Sequence, residues 1–215
     1  MRLLLVRHGR TASNVGKLLD TAYPGAALDA VGRAQADGLV DRLAGVPIDA
    51  IYTSDLTRSR QTAEPLAAAR GLAPVAHAGL REIQAGDLEM SDRHQAYVEV
   101  LLGWRGDLGL RVPGGESGHE VLERFDGVLR QAAVHDHVVA ITHGAVIRMW
   151  AALRTDNGTL GVLRGASMDN AVVVELDGHP ARGWTVLRWA GASVPPAPAD
   201  PSVAGAGVGL TPAGS

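Results

Sequence analysis

The stretch LLLVRHG, residues 3–9, runs four apolar residues into an arginine, a histidine and a glycine. A second stretch, VVAITHG at 138–144, repeats the arrangement and ends in His143 and Gly144. Short apolar runs without polar alternation read as strands buried on both faces. A probable helix follows each. In open α/β sheets, ligands bind beyond the carboxyl ends of the strands, where the chain connections switch sides. Two strands that both end in His-Gly therefore predict two imidazoles, from His8 and His143, in one crevice. The glycines admit close backbone approach, and the helix N-termini offer free N–H groups to an anion. For either histidine alone, the alternative is a satisfied turn residue.

Working outward, Asp29 caps a helix carrying Val31, Ala34, Leu39, Val40 and Leu43, stopped by Gly45 and Pro47. A strand over 48–54 leads into a helix begun by Asp55 and ended by Gly71, with a short strand over 74–77. Residues 91–115 combine helical character around Tyr97–Leu102 with a Gly- and Pro-containing loop. A helix runs from Ser117 to near Ala133, with Val121, Leu122, Phe125, Val128 and Leu129 on one face. Residues 137–142 are a third clear strand, and AVIRMWAAL a further helix. Strands over 169–176 and 184–189 are joined by the turn DGHPARG. Strands alternating with helices predict an α/β domain with a mostly parallel central sheet and an antiparallel edge from the closing hairpin. Residues 1–190 form this domain. Residues 191–215 are rich in Pro, Gly and Ala, show no period, and read as a disordered tail.

The 215-residue chain is long enough for one sizeable domain. Net charge of −3 gives no electrostatic reason to expect nucleic acid or an anionic membrane as partner, so anion affinity must come from local Arg and His. With no cysteine, thiol catalysis, disulfides and thiolate metal sites are excluded. The apolar run before Arg7 is too short for an export signal, and no run approaches membrane-spanning length. A cytoplasmic protein is expected.

Two further segments carry candidate chemistry. In SDLTRSRQTAE, 54–64, Arg58 lies early in a helix that follows a strand, placed to grip a phosphate with two parallel hydrogen bonds. The alternative is a solvated basic face. In LREIQAGDLEM, 80–90, Glu82 offers a general acid for a leaving alcohol, the alternative being an ordinary surface glutamate. His135-Asp136-His137 reads as a solvated turn; no metal site is expected.

Together these segments resemble the histidine phosphatase superfamily, also called the phosphoglycerate mutase-like family. The resemblance rests on Arg7-His8-Gly9 with Thr11 and Asn14, LDAVGRAQA at 28–36, SDLTRSRQTAE, LREIQAGDLE, PGGES at 113–117 and Thr142-His143-Gly144. It implies a three-layer α/β/α sandwich. It implies His8 as nucleophile, Glu82 as proton donor, and Arg7, Arg58 and His143 as ligands of the phosphoryl oxygens. Thr11, Asn14 and Gly144 would support the phosphate pocket. No cofactor or metal is implied, the partner is a small phosphorylated substrate, and a homodimer is compatible because dimers are common in the family.

Two departures from the family pattern bear on the reaction. Arg10 stands where the family usually has an acidic residue or Gln; it is read as a rim cation favouring a doubly anionic substrate, the alternative being an outward-facing arginine. Ala145 follows the second His-Gly where the mutase branch has Asn, and residues 91–112 carry only isolated arginines, 93, 105 and 111. Ala145 and the isolated arginines favour hydrolysis over phosphoryl transfer to a second acceptor. A mutase-type phosphotransferase and a non-catalytic phosphate-binding module remain the other classes. The latter predicts loss of His8, Glu82 or Arg58, and all are present.

Overall fold

The computed structural model describes residues 1–158 and 166–196. The strands are β1 (Arg2–Arg7), β2 (Ala50–Thr53), β3 (Val75–Ala76), β4 (His137–Thr142), β5 (Val173–His179), β6 (Gly183–Trp189) and β7 (Ala192–Ser193). The helices are α1 (Ala12–Val15), α2 (Ala30–Arg42), α3 (Thr57–Arg70), α4 (His94–Gly103), α5 (Gly118–Ala132) and α6 (Gly144–Arg154). The strands form one sheet in the order β3-β2-β4-β1-β5-β6-β7. The first four are parallel; β5, β6 and β7 are antiparallel. The fold is thus α/β with a mostly parallel centre, and its antiparallel part is three strands wide rather than a single edge.

Side chains on a strand alternate between faces, so a doubly buried strand feeds two cores. Leu3 and Leu5 of β1 join the core built with Tyr97, Phe125 and Trp150, from α4, α5 and α6. Leu4 and Val6 join the opposite core, with Leu39 of α2 and Leu66 of α3. The continuous apolar run at 3–6 is the consequence of this double burial. The helices therefore form two layers around the sheet.

The same division locates the site. β1 and β4 lie side by side in parallel, with Arg7 opposite Thr142. The chain leaves β1 toward α2 on one face and leaves β4 for α6 on the other. The two connections part at the carboxyl ends of adjacent strands, which opens a crevice there.

Several boundaries differ from the sequence expectation. Asp55 does not cap α3: the N-cap is Leu56, and the Asp55 carboxylate instead accepts from the Arg81 guanidinium, Nε to Oδ1 at 2.6 Å. β5 starts at Val173, because residues 169–172 turn inward and bond to the His8 segment. Ala192 and Ser193, assigned to the tail, pair with β6 as β7; residues 197–215 lie outside the described residues. No helix among the described residues is long and apolar enough to cross a membrane.

Candidate active site

β1 delivers Arg7 and His8 to the crevice. The His8 N–H donates to Thr142 O at 3.0 Å and so continues the parallel ladder one residue past the strand. Gly9 follows because the chain there runs against α2: a Cβ at Gly9 would stand 2.5 Å from Gly32 O, and one at Gly32 would stand 2.1 Å from Arg10 O. Only a pair of glycines permits that approach. β4 delivers His143, and the two imidazoles lie with ring centroids 5.1 Å apart. Both are almost wholly buried.

The His8 ring has a defined tautomer. Its Nδ1 lies 2.7 Å from Gly9 O, and a carbonyl can only accept, so Nδ1 carries the proton. Nε2 is left with the lone pair, which accepts from Arg58 Nε at 3.1 Å. Burial, reinforced by the Arg58 and Arg7 charges, holds the His8 imidazole well below its ordinary pKa. Burial and Arg58 act in the same direction on His143. Both rings are therefore neutral at pH 7.

Arg58 lies in the first turn of α3. Its Nη2 donates to Asp20 O at 2.8 Å, and Nη1 lies 3.7 Å from Asp20 Oδ1. A Cβ at Gly25 would come within 2.3 Å of Nη1, so this glycine makes room for the guanidinium. Arg7 donates from Nη1 to Met168 O. Burial lowers the pKa of both arginines, with Glu82 opposing in each case, and arginine starts far enough from neutrality to leave both cationic.

Among the described residues, three buried side-chain polar atoms have no hydrogen-bond partner: Arg7 Nε, Arg58 Nη1 and His143 Nδ1. Folded proteins satisfy nearly all such groups, and the two guanidinium nitrogens can only donate, so the crevice calls for a ligand that supplies acceptors. Arg7 and Arg58 line a cavity of about 400 Å³ together with His8, Glu82 and Gly144. His143 lies behind this wall, its Nε2 3.4 Å from Ser59 Oγ.

Of the remaining sequence candidates, Glu82, Thr11, Asn14 and Gly144 line the cavity and Arg10 does not. Glu82 lines the cavity and also caps α6: Oε1 accepts from Ile83 N at 2.9 Å and Val146 N at 2.8 Å, and Oε2 from Ala145 N at 3.0 Å. Thr11 and Asn14 line it too, and form the capping box of α1. Gly144 borders Arg7, whose Nε would lie 3.3 Å from a Cβ there. Arg10 is the exception. Its Nε donates to Asp29 Oδ2 at 2.8 Å, at the N-cap of α2, and it does not line the cavity. In this structure its charge answers the capping carboxylate of α2.

Sequence reasoning missed the residues that hold this set in place. Arg124 of α5 donates through Nη1 to Gly79 O and Arg81 O, both at 2.8 Å, and through Nη2 to Glu82 O at 3.1 Å. Glu116 pairs with the same guanidinium at 2.6 Å. Asn170 Nδ2 reaches His8 O at 3.1 Å and Asn14 Oδ1 at 3.0 Å. Tyr97 donates its hydroxyl proton to Ile83 O at 2.7 Å. Arg124 and Asn170 reach partners more than 40 residues away, so no local signal marks them.

The buried imidazoles make stability depend on pH with a definite sign. Their folded-state pKa values lie below the unfolded value of about 6.5. Acid therefore protonates the unfolded chain first. The stability they contribute is complete above pH ~6.5 and is lost as pH falls toward the depressed values. The slope is up to about 1.4 kcal/mol per pH unit for each histidine. Denaturant titrations between pH 7 and 5 should show this loss, and His8→Ala should remove one proton's share of it. An unchanged slope in the variant would mean that His8 is not buried neutral.

The sheet thus brings two imidazoles and two guanidinium groups to its switch point. Residues 3–191 match the histidine phosphatase superfamily (branch 1), and the chain belongs to that family. It is 33% identical over 216 residues to the PE-PGRS family protein PE_PGRS11 of Mycobacterium tuberculosis, covering 89% of this chain and 37% of that protein. It is 38% identical over 135 residues to the probable phosphoglycerate mutase GpmB of Klebsiella pneumoniae, covering 60% of this chain and 61% of that protein. The matches thus span less than two thirds of both proteins. Among solved structures, a mycobacterial glucosyl-3-phosphoglycerate phosphatase in complex with VO3 is similar at a TM-score of 0.73 and 28% identity. That likeness covers 89% of this chain and 99% of the other.

Proposed function

We propose that this chain is a metal-independent phosphomonoesterase that works through a phosphohistidine at His8, on a small phosphorylated metabolite. The observation that carries the reading is the pair of buried guanidinium nitrogens without a hydrogen-bond partner, Arg7 Nε and Arg58 Nη1, beside a neutral imidazole of fixed tautomer. A phosphoryl group supplies the acceptors these nitrogens lack.

The chemistry follows from the geometry. An entering phosphoryl oxygen takes over the Arg58 Nε–H, which frees the Nε2 lone pair of His8. Nε2 then forms a bond to phosphorus as the ester P–O bond breaks. The electron pair leaves with the ester oxygen, which receives a proton from Glu82. Oε2 accepts from one backbone N–H and Oε1 from two, so Oε2 is the oxygen with room to pass a proton to the leaving group. Gly9 O keeps its hydrogen bond from Nδ1–H and stabilises the charge that develops on the ring. In the second half, water attacks phosphorus and gives a proton back to Glu82. The N–P bond breaks and its pair returns to Nε2. The guanidinium groups follow the phosphoryl oxygens through both steps, which is electrostatic stabilisation by preorganised donors.

The test is rapid acid-free quenching during turnover of p-nitrophenyl phosphate with chelator present. A base-stable, acid-labile phosphoryl adduct mapped to His8 is expected. Full turnover without any adduct, or turnover abolished by chelator, would sink the reading. The mutase alternative draws support from the name of the Klebsiella relative. It requires phosphoryl exchange between phosphoglycerates, and hydrolysis without exchange is the expected result.

A further inference from the structure

Resting on the phosphomonoesterase reading, we propose that the leaving group this cavity takes is an apolar alcohol, an alkyl chain or a plain aromatic ring, carrying neither a second anion nor a sugar's hydroxyls. The wall beyond the phosphoryl-binding residues is built from Leu18, Val98, Leu101, Leu102, Met149 and Met168. Three of these come from α4, whose sequence HQAYVEVLLG turns one apolar face to the cavity. Val98 is left 44% exposed at this face, an apolar surface that a bound chain would cover.

The polar side chains on the same wall are already engaged. The Tyr97 hydroxyl is committed to Ile83 O. His94 Nε2 lies 2.8 Å from Lys17 O. Asp20 Oδ2 accepts from Ser13 Oγ at 2.7 Å and from Ala26 N at 3.0 Å. The Arg148 guanidinium donates to Ala166 O at 2.9 Å and lies over the Trp189 ring, 5.8 Å from its centroid. A hydroxylated leaving group would bury hydroxyls against leucine and methionine, which is costly without partners. A carboxylated one would meet the same apolar wall, whose lining cation, Arg148, is held against Ala166 O and the Trp189 ring. Arg10, the cation that would have favoured a dianion, is bound to Asp29 instead.

The test is calorimetric titration of the full chain with non-hydrolysable alkyl phosphonates from ethyl to octyl. Each methylene that enters the wall should raise affinity about two- to fourfold, the upper value being ~0.8 kcal/mol per buried CH₂ converted at ~1.4 kcal/mol per tenfold. Phosphonoacetate should bind more weakly than ethyl phosphonate. Val98→Asp, at a position exposed enough to keep the fold, should cut the octyl-to-ethyl affinity ratio at least tenfold. A flat series, or tighter binding of phosphonoacetate, would overturn the proposal. Turnover of p-nitrophenyl phosphate, measured in parallel with His8→Ala, separates the two readings. A flat series with His8-dependent turnover rejects the apolar leaving group alone. A rising series without turnover keeps the apolar pocket and rejects the hydrolytic reading.

Discussion

Replacing His8 by alanine should lower kcat/KM for p-nitrophenyl phosphate by on the order of 10⁴ or more, the scale on which loss of a nucleophile disables enzymes with covalent intermediates. The reason is specific to this site. Arg7 and Arg58 still line the phosphoryl position, and the other neutral imidazole, His143, does not line the cavity, so no lone pair at the cavity wall replaces that of His8. Inorganic phosphate should bind the variant at least as well as wild type. In the free protein Arg58 Nε donates to His8 Nε2 at 3.1 Å, and that bond must be surrendered when phosphate enters. Alanine removes the competing acceptor. Calorimetry with phosphate and steady-state kinetics together make the check. Turnover within tenfold of wild type would exclude His8 as the nucleophile, whereas loss of phosphate affinity parallel to loss of rate would make it a binding group.

The legible part of this protein is the part encoded locally. The double burial of β1 and β4 writes itself as unbroken apolar runs, and the chemistry sits within three residues of their ends. Arg58 was placed by its distance from a strand end, and the structure brings it against His8. Capping is also local, so Asp29, Ser117 and the start of α5 were readable. The failures share one cause, which is competition decided by residues distant in sequence. Asp55 looks like a helix cap until Arg81, 26 residues on, takes its carboxylate. Residues 169–172 read as strand but are needed to bond the backbone of His8. Glu82 was identified as a proton donor, yet its bonds to the N-terminus of α6, 63 and 64 residues away, had no sequence signature.

Those bonds give Glu82 two roles, and Glu82→Gln should separate them. Glutamine keeps the size of the side chain and one acceptor oxygen. Its NH₂ group, however, meets the N–H of Ala145 or of Val146, a donor against a donor at the first turn of α6. Loss of a cap of this kind costs about 0.5–2 kcal/mol, and the midpoint of denaturant unfolding should fall accordingly. The catalytic effect has a different signature. An alkoxide cannot leave without a proton, so kcat for alkyl phosphates should drop about 10²–10⁴-fold, the range for general acid catalysis. p-Nitrophenolate leaves unassisted, and its release in the first half-reaction should slow less than about tenfold in single-turnover experiments. If the substitution acted only by loosening α6 and displacing the phosphoryl-binding groups, both substrates would lose rate in proportion. A large alkyl-to-aryl difference identifies the proton donor. Equal losses would assign Glu82 to positioning and leave the acid to be found elsewhere in the cavity.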